Sequence, residues 1–131
     1  MKKIQLALTY LIIFSCSKQA ATREIKNSSL IENNWTWKQS TRRILGTTYN
    51  LTNSGCAKSL LINANEIKEF KNGISIATYQ YTVSTQSSIY GGLRSIFVVN
   101  NKPKQSFEIV NNKLILADEC YDCFTSAYLK N

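Results

Sequence analysis

Asn72-Gly73 lies between two runs, Glu66–Lys71 and Ile74–Val83, in which apolar and polar residues largely alternate. A two-residue turn between antiparallel strands needs positive φ at both central positions, and Asn-Gly is the pair that accepts this most readily. The spacing therefore predicts a β-hairpin. The same signature recurs along the chain. Trp35–Lys38, Ser59–Asn63, Leu93–Val99, Gln105–Val110, Lys113–Ala117 and Phe124–Lys130 read as short strands, with a weaker one around Thr47–Leu51. Gly91-Gly92, Asn100–Pro103, Asn111-Asn112 and Asp118–Cys123 read as the turns between them. No segment keeps a 3.6-residue period over three turns. About eight strands at short spacing point to an all-β fold, a small antiparallel up-and-down barrel, with a two-sheet sandwich as the other arrangement. Closure removes the bare edges of a small flat sheet.

Side-chain parity sorts these strands into faces. Trp35 and Trp37 share a face, as do Tyr79, Tyr81 and Val83, while Ile74, Ile76 and Thr78 share the opposite one. Glu66 and Glu69 fall on opposite faces of their strand, so they make no local carboxylate pair. Asp118, Glu119 and Asp122 gather in one turn, where solvated acids are the ordinary outcome.

The chain has no histidine, which removes Ser-His-Asp and Cys-His catalysis and the commonest base near neutral pH. Gly91-Gly92 has no helix after it to complete a phosphate loop. The domain is therefore read as non-enzymatic, with no cofactor and no metal. The net charge is +8, two of it from Lys2 and Lys3, and the basic residues are scattered. Such a balance favours solubility and weak attraction to anionic surfaces, and nucleic acid is not expected as a partner.

The N-terminus carries a separate message. Met1-Lys2-Lys3 is a short positive segment, and Ile4–Phe14 is mostly apolar and eleven residues long. A helix of that length rises about 16 Å, short of a hydrocarbon core of about 30 Å. It fits the apolar region of a signal peptide. Ile13-Phe14-Ser15-Cys16 resembles a lipobox, with an aliphatic residue at −3, a small one at −1 and cysteine at +1. That resemblance implies a lipoprotein: diacylglycerol on the Cys16 thiol, cleavage before it, and acyl chains such as palmitate as a membrane anchor. Residues 1–15 are then signal peptide, 16–32 the lipidated cysteine with a polar tether, and 33–131 the folded domain. Ser17 at +2 lacks the aspartate that retains enteric lipoproteins at the inner membrane, and no acidic run follows Cys16. The expected place is the outer membrane, facing the periplasm.

Three further cysteines, Cys56, Cys120 and Cys123, would lie in an oxidising compartment. Cys120 and Cys123 are spaced like the ends of a four-residue turn, within reach of a disulfide. Alternatively Cys56 bridges to one of them and pins the long loop. A thioredoxin-like reading of Cys120-Tyr121-Asp122-Cys123 wants a helix N-terminus that the pattern does not supply.

The order of features resembles the small lipocalin-like lipoproteins of Bacteroidota. Trp35-Thr36-Trp37-Lys38-Gln39-Ser40 matches their tryptophan-rich first strand, followed by a glycine-containing loop and Leu60-Leu61-Ile62. Asn72-Gly73 leads into Tyr79-Gln80-Tyr81, and Leu114-Ile115-Leu116, Asp122 and Tyr128 close the series. The resemblance spans residues 33–131, and the Gly-x-Trp of true lipocalins is replaced by Asn33-Asn34-Trp35. It implies a lipocalin-like barrel.

An eight-stranded barrel either fills its interior or holds one small ligand. The leading expectation is a lipid-anchored module that binds a small apolar ligand, lined by Trp35, Trp37, Tyr79 and Tyr81. The alternative is a protein-interaction module, an inhibitor or an accessory subunit of an envelope complex, presenting loops 42–57 and 84–95 with Arg42, Arg43 and Arg94.

Overall fold

The computed structural model describes residues 30–131. The signal peptide, Cys16 and most of the tether fall on residues 1–29 and lie outside the described residues.

The strands are β1 (Asn34–Arg42), β2 (Thr48–Asn50), β3 (Lys58–Ile62), β4 (Glu66–Lys71), β5 (Ile74–Ser87), β6 (Leu93–Val99), β7 (Gln105–Val110), β8 (Lys113–Asp118) and β9 (Phe124–Lys130). All pairings are antiparallel, and β1 meets both β3 and β9. The sheet thus closes into an eight-stranded barrel, β1-β3-β4-β5-β6-β7-β8-β9, with β2 as an extra strand. The up-and-down barrel expected from the turns is present. One edge of β1 is shared: residues 34–36 pair with β3 and residues 39–41 with β2.

The turns form where the residue types allow them. Asn72 and Gly73 have φ of 51° and 78°, and Asn111 and Asn112 have 48° and 60°. Both are the doubly positive two-residue hairpins that fit the strand twist. Between β2 and β3 a single helical turn, α1 (Leu51–Ser54), departs from the all-strand expectation. Asn50 and Asn53 cap it reciprocally.

The core occupies one end of the barrel. Ile31, Trp35, Leu60, Ile62, Leu114 and Leu116 are buried together, with Phe97 and Tyr81. Ile31, from the segment before β1, has no exposed surface, and its carbonyl accepts a 2.9 Å bond from Trp35 Nε1. Tyr81 donates its hydroxyl to the Asn63 carbonyl at 2.6 Å. Phe97 meets Tyr81 edge-on and stacks with Phe107 at 4.4 Å between centroids.

A second row faces away from the interior and is buried at its middle. Ser84, Ile96, Ser106, Ala117, Thr125, Thr41 and Thr48 follow one another in register across seven strands. Ile96, Ser106 and Ala117 on it are buried. The β5–β6 hairpin bends back here. Glu119, beside Ser106, accepts from Ser88 Oγ and the Ile89 amide at 2.8 Å each. The Tyr90 hydroxyl donates to the Asp118 and Cys120 carbonyls.

This contact titrates. Burial pushes the Glu119 carboxyl up, but donation from the Ile89 amide and the Ser106 and Ser88 hydroxyls, with Arg94 nearby, outweighs it. The carboxyl is therefore held below its ordinary 4.5. A lowered carboxylate stabilises the fold above the unfolded-state value and loses that contribution as pH falls through the folded one. The Ile89 amide resonance is expected to move on acidification with a midpoint below 4.5. In Glu119→Gln that movement is expected to vanish. A midpoint at or above the ordinary value would refute the assignment.

Candidate functional site

Above the packed floor the barrel is hollow. A cavity of about 310 Å³ is walled by Leu60, Ile62, Ile67, Phe97, Val99 and Leu116 from the strands. Glu69, Tyr79, Gln105, Asp118 and Tyr128 add polar groups to it. Two turns complete the rim: β6–β7 brings Lys102 and Pro103, and β8–β9 brings Cys120 and Cys123. A second hollow of about 410 Å³ shares Gln105, Asp118 and Tyr128 with the first. Trp37, Ser40, Tyr49, Lys58, Phe124 and Ser126 line the rest of it. The first volume lies at the small end of ligand pockets, about 300–1,000 Å³.

Parity explains who points inward. Ile67 and Glu69 alternate on β4, and Leu114, Leu116 and Asp118 on β8. Gln105 and Asp118 are direct cross-strand partners, and Gln105 Nε2 donates to Asp118 Oδ1 at 2.7 Å. The Phe124 amide donates to Asp118 Oδ2 at 3.3 Å. Burial raises the Tyr128 hydroxyl well above the usual tyrosine range, and the charges of Glu69 and Asp118 raise it further. Both carboxylates therefore act on this hydroxyl from within the barrel. Lys102 Nζ sits 3.5 Å from the centroid of the Tyr79 ring. Lys58 Nζ lies 4.6 Å from Trp37, whose indole Nε1 donates to Ser40 Oγ at 2.9 Å.

The four aromatic residues expected to line a pocket divide by depth. Tyr79 borders the cavity and Trp37 the second hollow. Trp35 and Tyr81 belong to the packed floor. The two tryptophans lie in one unbroken register against β9, and a bulge at Lys38 follows both of them.

The acids of the turn are half-exposed, and each also has a contact within the fold. Asp118 faces the cavity, Glu119 holds the β5–β6 tip, and Asp122 Oδ2 pairs with Arg42 at 3.1 Å. Glu69, Lys102, Asp118 and Tyr128 are the site residues that sequence reasoning passed over. The parity of Glu69 with Ile67, and of Asp118 with Leu116, was the available signal.

Cys120 and Cys123 are bridged, with Cα atoms 5.6 Å apart, and Cys56 has no disulfide partner among the described residues. Of the pairings open from spacing, the short turn is the one formed. The loops named for a protein partner also meet. The Arg43 guanidinium lies 3.8 Å from the Tyr90 ring centroid and Arg94 5.2 Å. Arg43 also donates to the Asp118 carbonyl at 2.6 Å. No protein-family model, curated protein or solved structure matches this chain.

Proposed function

We propose that the chain is a lipid-anchored, non-enzymatic binding module of the cell envelope, related to the small lipocalin-like lipoproteins, whose barrel takes a small, largely apolar ligand. The observation that carries this is the hollow upper half of the barrel, above a floor already filled by Ile31, Trp35 and Leu114. A core that needed no ligand has no reason to leave about 310 Å³ open beside apolar walls. The lipobox-like Ile13-Phe14-Ser15-Cys16 supports the anchor. The unacidic segment after it supports an outer-membrane position facing the periplasm.

Native mass spectrometry of the protein from its own host tests both parts. Extra mass that leaves on denaturation is the expected result, together with acyl mass on a chain beginning at Cys16. A bare, unacylated chain would overturn the reading. Protease added to intact cells is expected to spare the domain.

One observation favours a protein partner as the second reading. Ile44, Leu45 and Ile89 are exposed on the loops that Arg43 and Tyr90 draw together, Leu93 at the start of β6, and Tyr121 on the β8–β9 turn. A stoichiometric protein recovered with the chain from its host would favour that reading over a ligand cup.

A further inference from the structure

Charge in the cavity runs against charge on the rest of the molecule. The chain as a whole is +8, yet two of the residues facing the hollow are carboxylates, Glu69 and Asp118. They come from different strands, β4 and β8, and both act on the Tyr128 hydroxyl. Among the described residues the ion pair within 4.0 Å joins Arg42 and Asp122, so neither cavity carboxylate has one. The donors on Asp118 are Gln105 Nε2 and the Phe124 amide, which orient the group without cancelling its charge. The lining thus holds two half-buried carboxylates to one ammonium, Lys102, and that ammonium is within ion-pair distance of neither.

We propose that the cavity receives an amphiphile with a cationic head, an ammonium placed between Glu69 and Asp118 with its apolar body against Leu60, Ile62 and Ile67. This rests on the reading of the barrel as a ligand cup and narrows the class of ligand.

A second feature points the same way. Lys102 Nζ rests on the face of Tyr79 within the rim of the cavity. Aromatic faces attract cations, more strongly where water is thin. The protein's own ammonium therefore occupies the kind of position that a ligand's ammonium would take. Lys102 sits on the β6–β7 turn, next to Asn101 with its positive φ of 61°. An incoming cation competes with it. A carboxylate-headed amphiphile gains little here, because Glu69 and Asp118 repel it; the interior selects against anions that the positive surface attracts.

The test uses the full mature chain and three probes of one chain length: octylamine, octanol and octanoate. Calorimetric titration at neutral pH is expected to show octylamine binding about ten-fold tighter than octanol, with octanoate weakest. Glu69→Gln is expected to bring octylamine down to about the affinity of octanol, each measured on the same variant. The Glu69 side chain makes no hydrogen bond among the described residues, so this variant keeps the Gln105–Asp118 pair. Asp118→Asn is expected to act in the same direction, and Lys102→Ala to tighten octylamine several-fold. Octanoate binding as well as octylamine, or Glu69→Gln and Asp118→Asn both leaving octylamine unchanged, would overturn the cationic class while the cup reading stands. Failure of all three probes to bind would overturn both.

Discussion

Trp35→Ala is expected to remove about 3–5 kcal/mol of stability, most of what a domain this size has to spare. Trp35 keeps only 1% of its surface exposed, and it packs in the cluster with Ile31, Leu60 and Leu114. Truncation opens a cavity where strands β1, β3 and β9 converge. It also strands the Ile31 carbonyl, which accepts the indole hydrogen at 2.9 Å. A buried acceptor left without its donor adds about 1–3 kcal/mol on its own. Urea unfolding followed by far-ultraviolet circular dichroism measures the effect as a lower midpoint at unchanged slope. A loss below about 1 kcal/mol would mean that the floor can collapse around the missing ring. Trp35→Phe keeps much of the volume and loses the hydrogen bond, so its smaller loss separates the two contributions.

Arg43→Ala is the second large effect, about 2–3 kcal/mol, and acts at the other end of the barrel. Arg43 touches three things at once. Its guanidinium stacks on Tyr90 at 3.8 Å, its side chain donates to the Asp118 carbonyl, and its backbone amide donates to the Cys123 carbonyl. The first two contacts go with the side chain, and with them the link between the β1–β2 loop and the β5–β6 tip. Hydrogen exchange at residues 88–92 and 119–120 is expected to speed up before the rest of the barrel does. Arg94→Ala serves as the comparison: exposed and 5.2 Å from the same ring, it is expected to cost about 0.5 kcal/mol. Equal losses from the two arginines would show that the stack and not the anchoring bond holds the tip.

Much of the fold was legible because its turns are chemical. Asn72-Gly73 and Asn111-Asn112 declare themselves, since few other pairs tolerate the backbone they need. Parity placed Trp35 and Trp37 on one face correctly, yet could not say which would sit in the floor. That depends on Ile31, a residue outside the strand pattern, plugging one end. Parity also relates Glu69 to Ile67 and Asp118 to Leu116, but the sequence reading set Glu69 only against Glu66 and put Asp118 in a turn. Reading acids as solvated is sound for an isolated strand; it fails once closure turns one face of every strand inward. The contact of Arg43 with Tyr90 joins segments far apart in sequence, and nothing local announces it.

The seam between the first and last strands has a consequence for how the chain becomes a barrel at all. Ser40 bonds to Ser126 across 86 residues, and the Asn131 amide reaches the Asn34 carbonyl. A chain emerging N-terminus first makes its hairpins one by one, from local pairings that close quickly. The cup does not exist until Phe124–Lys130 arrives and docks on β1. Until then β1 and β8 each offer an open edge to any neighbouring chain. A product cut short before β9 is therefore expected to aggregate or be degraded, with no half-formed cup to retain partial binding.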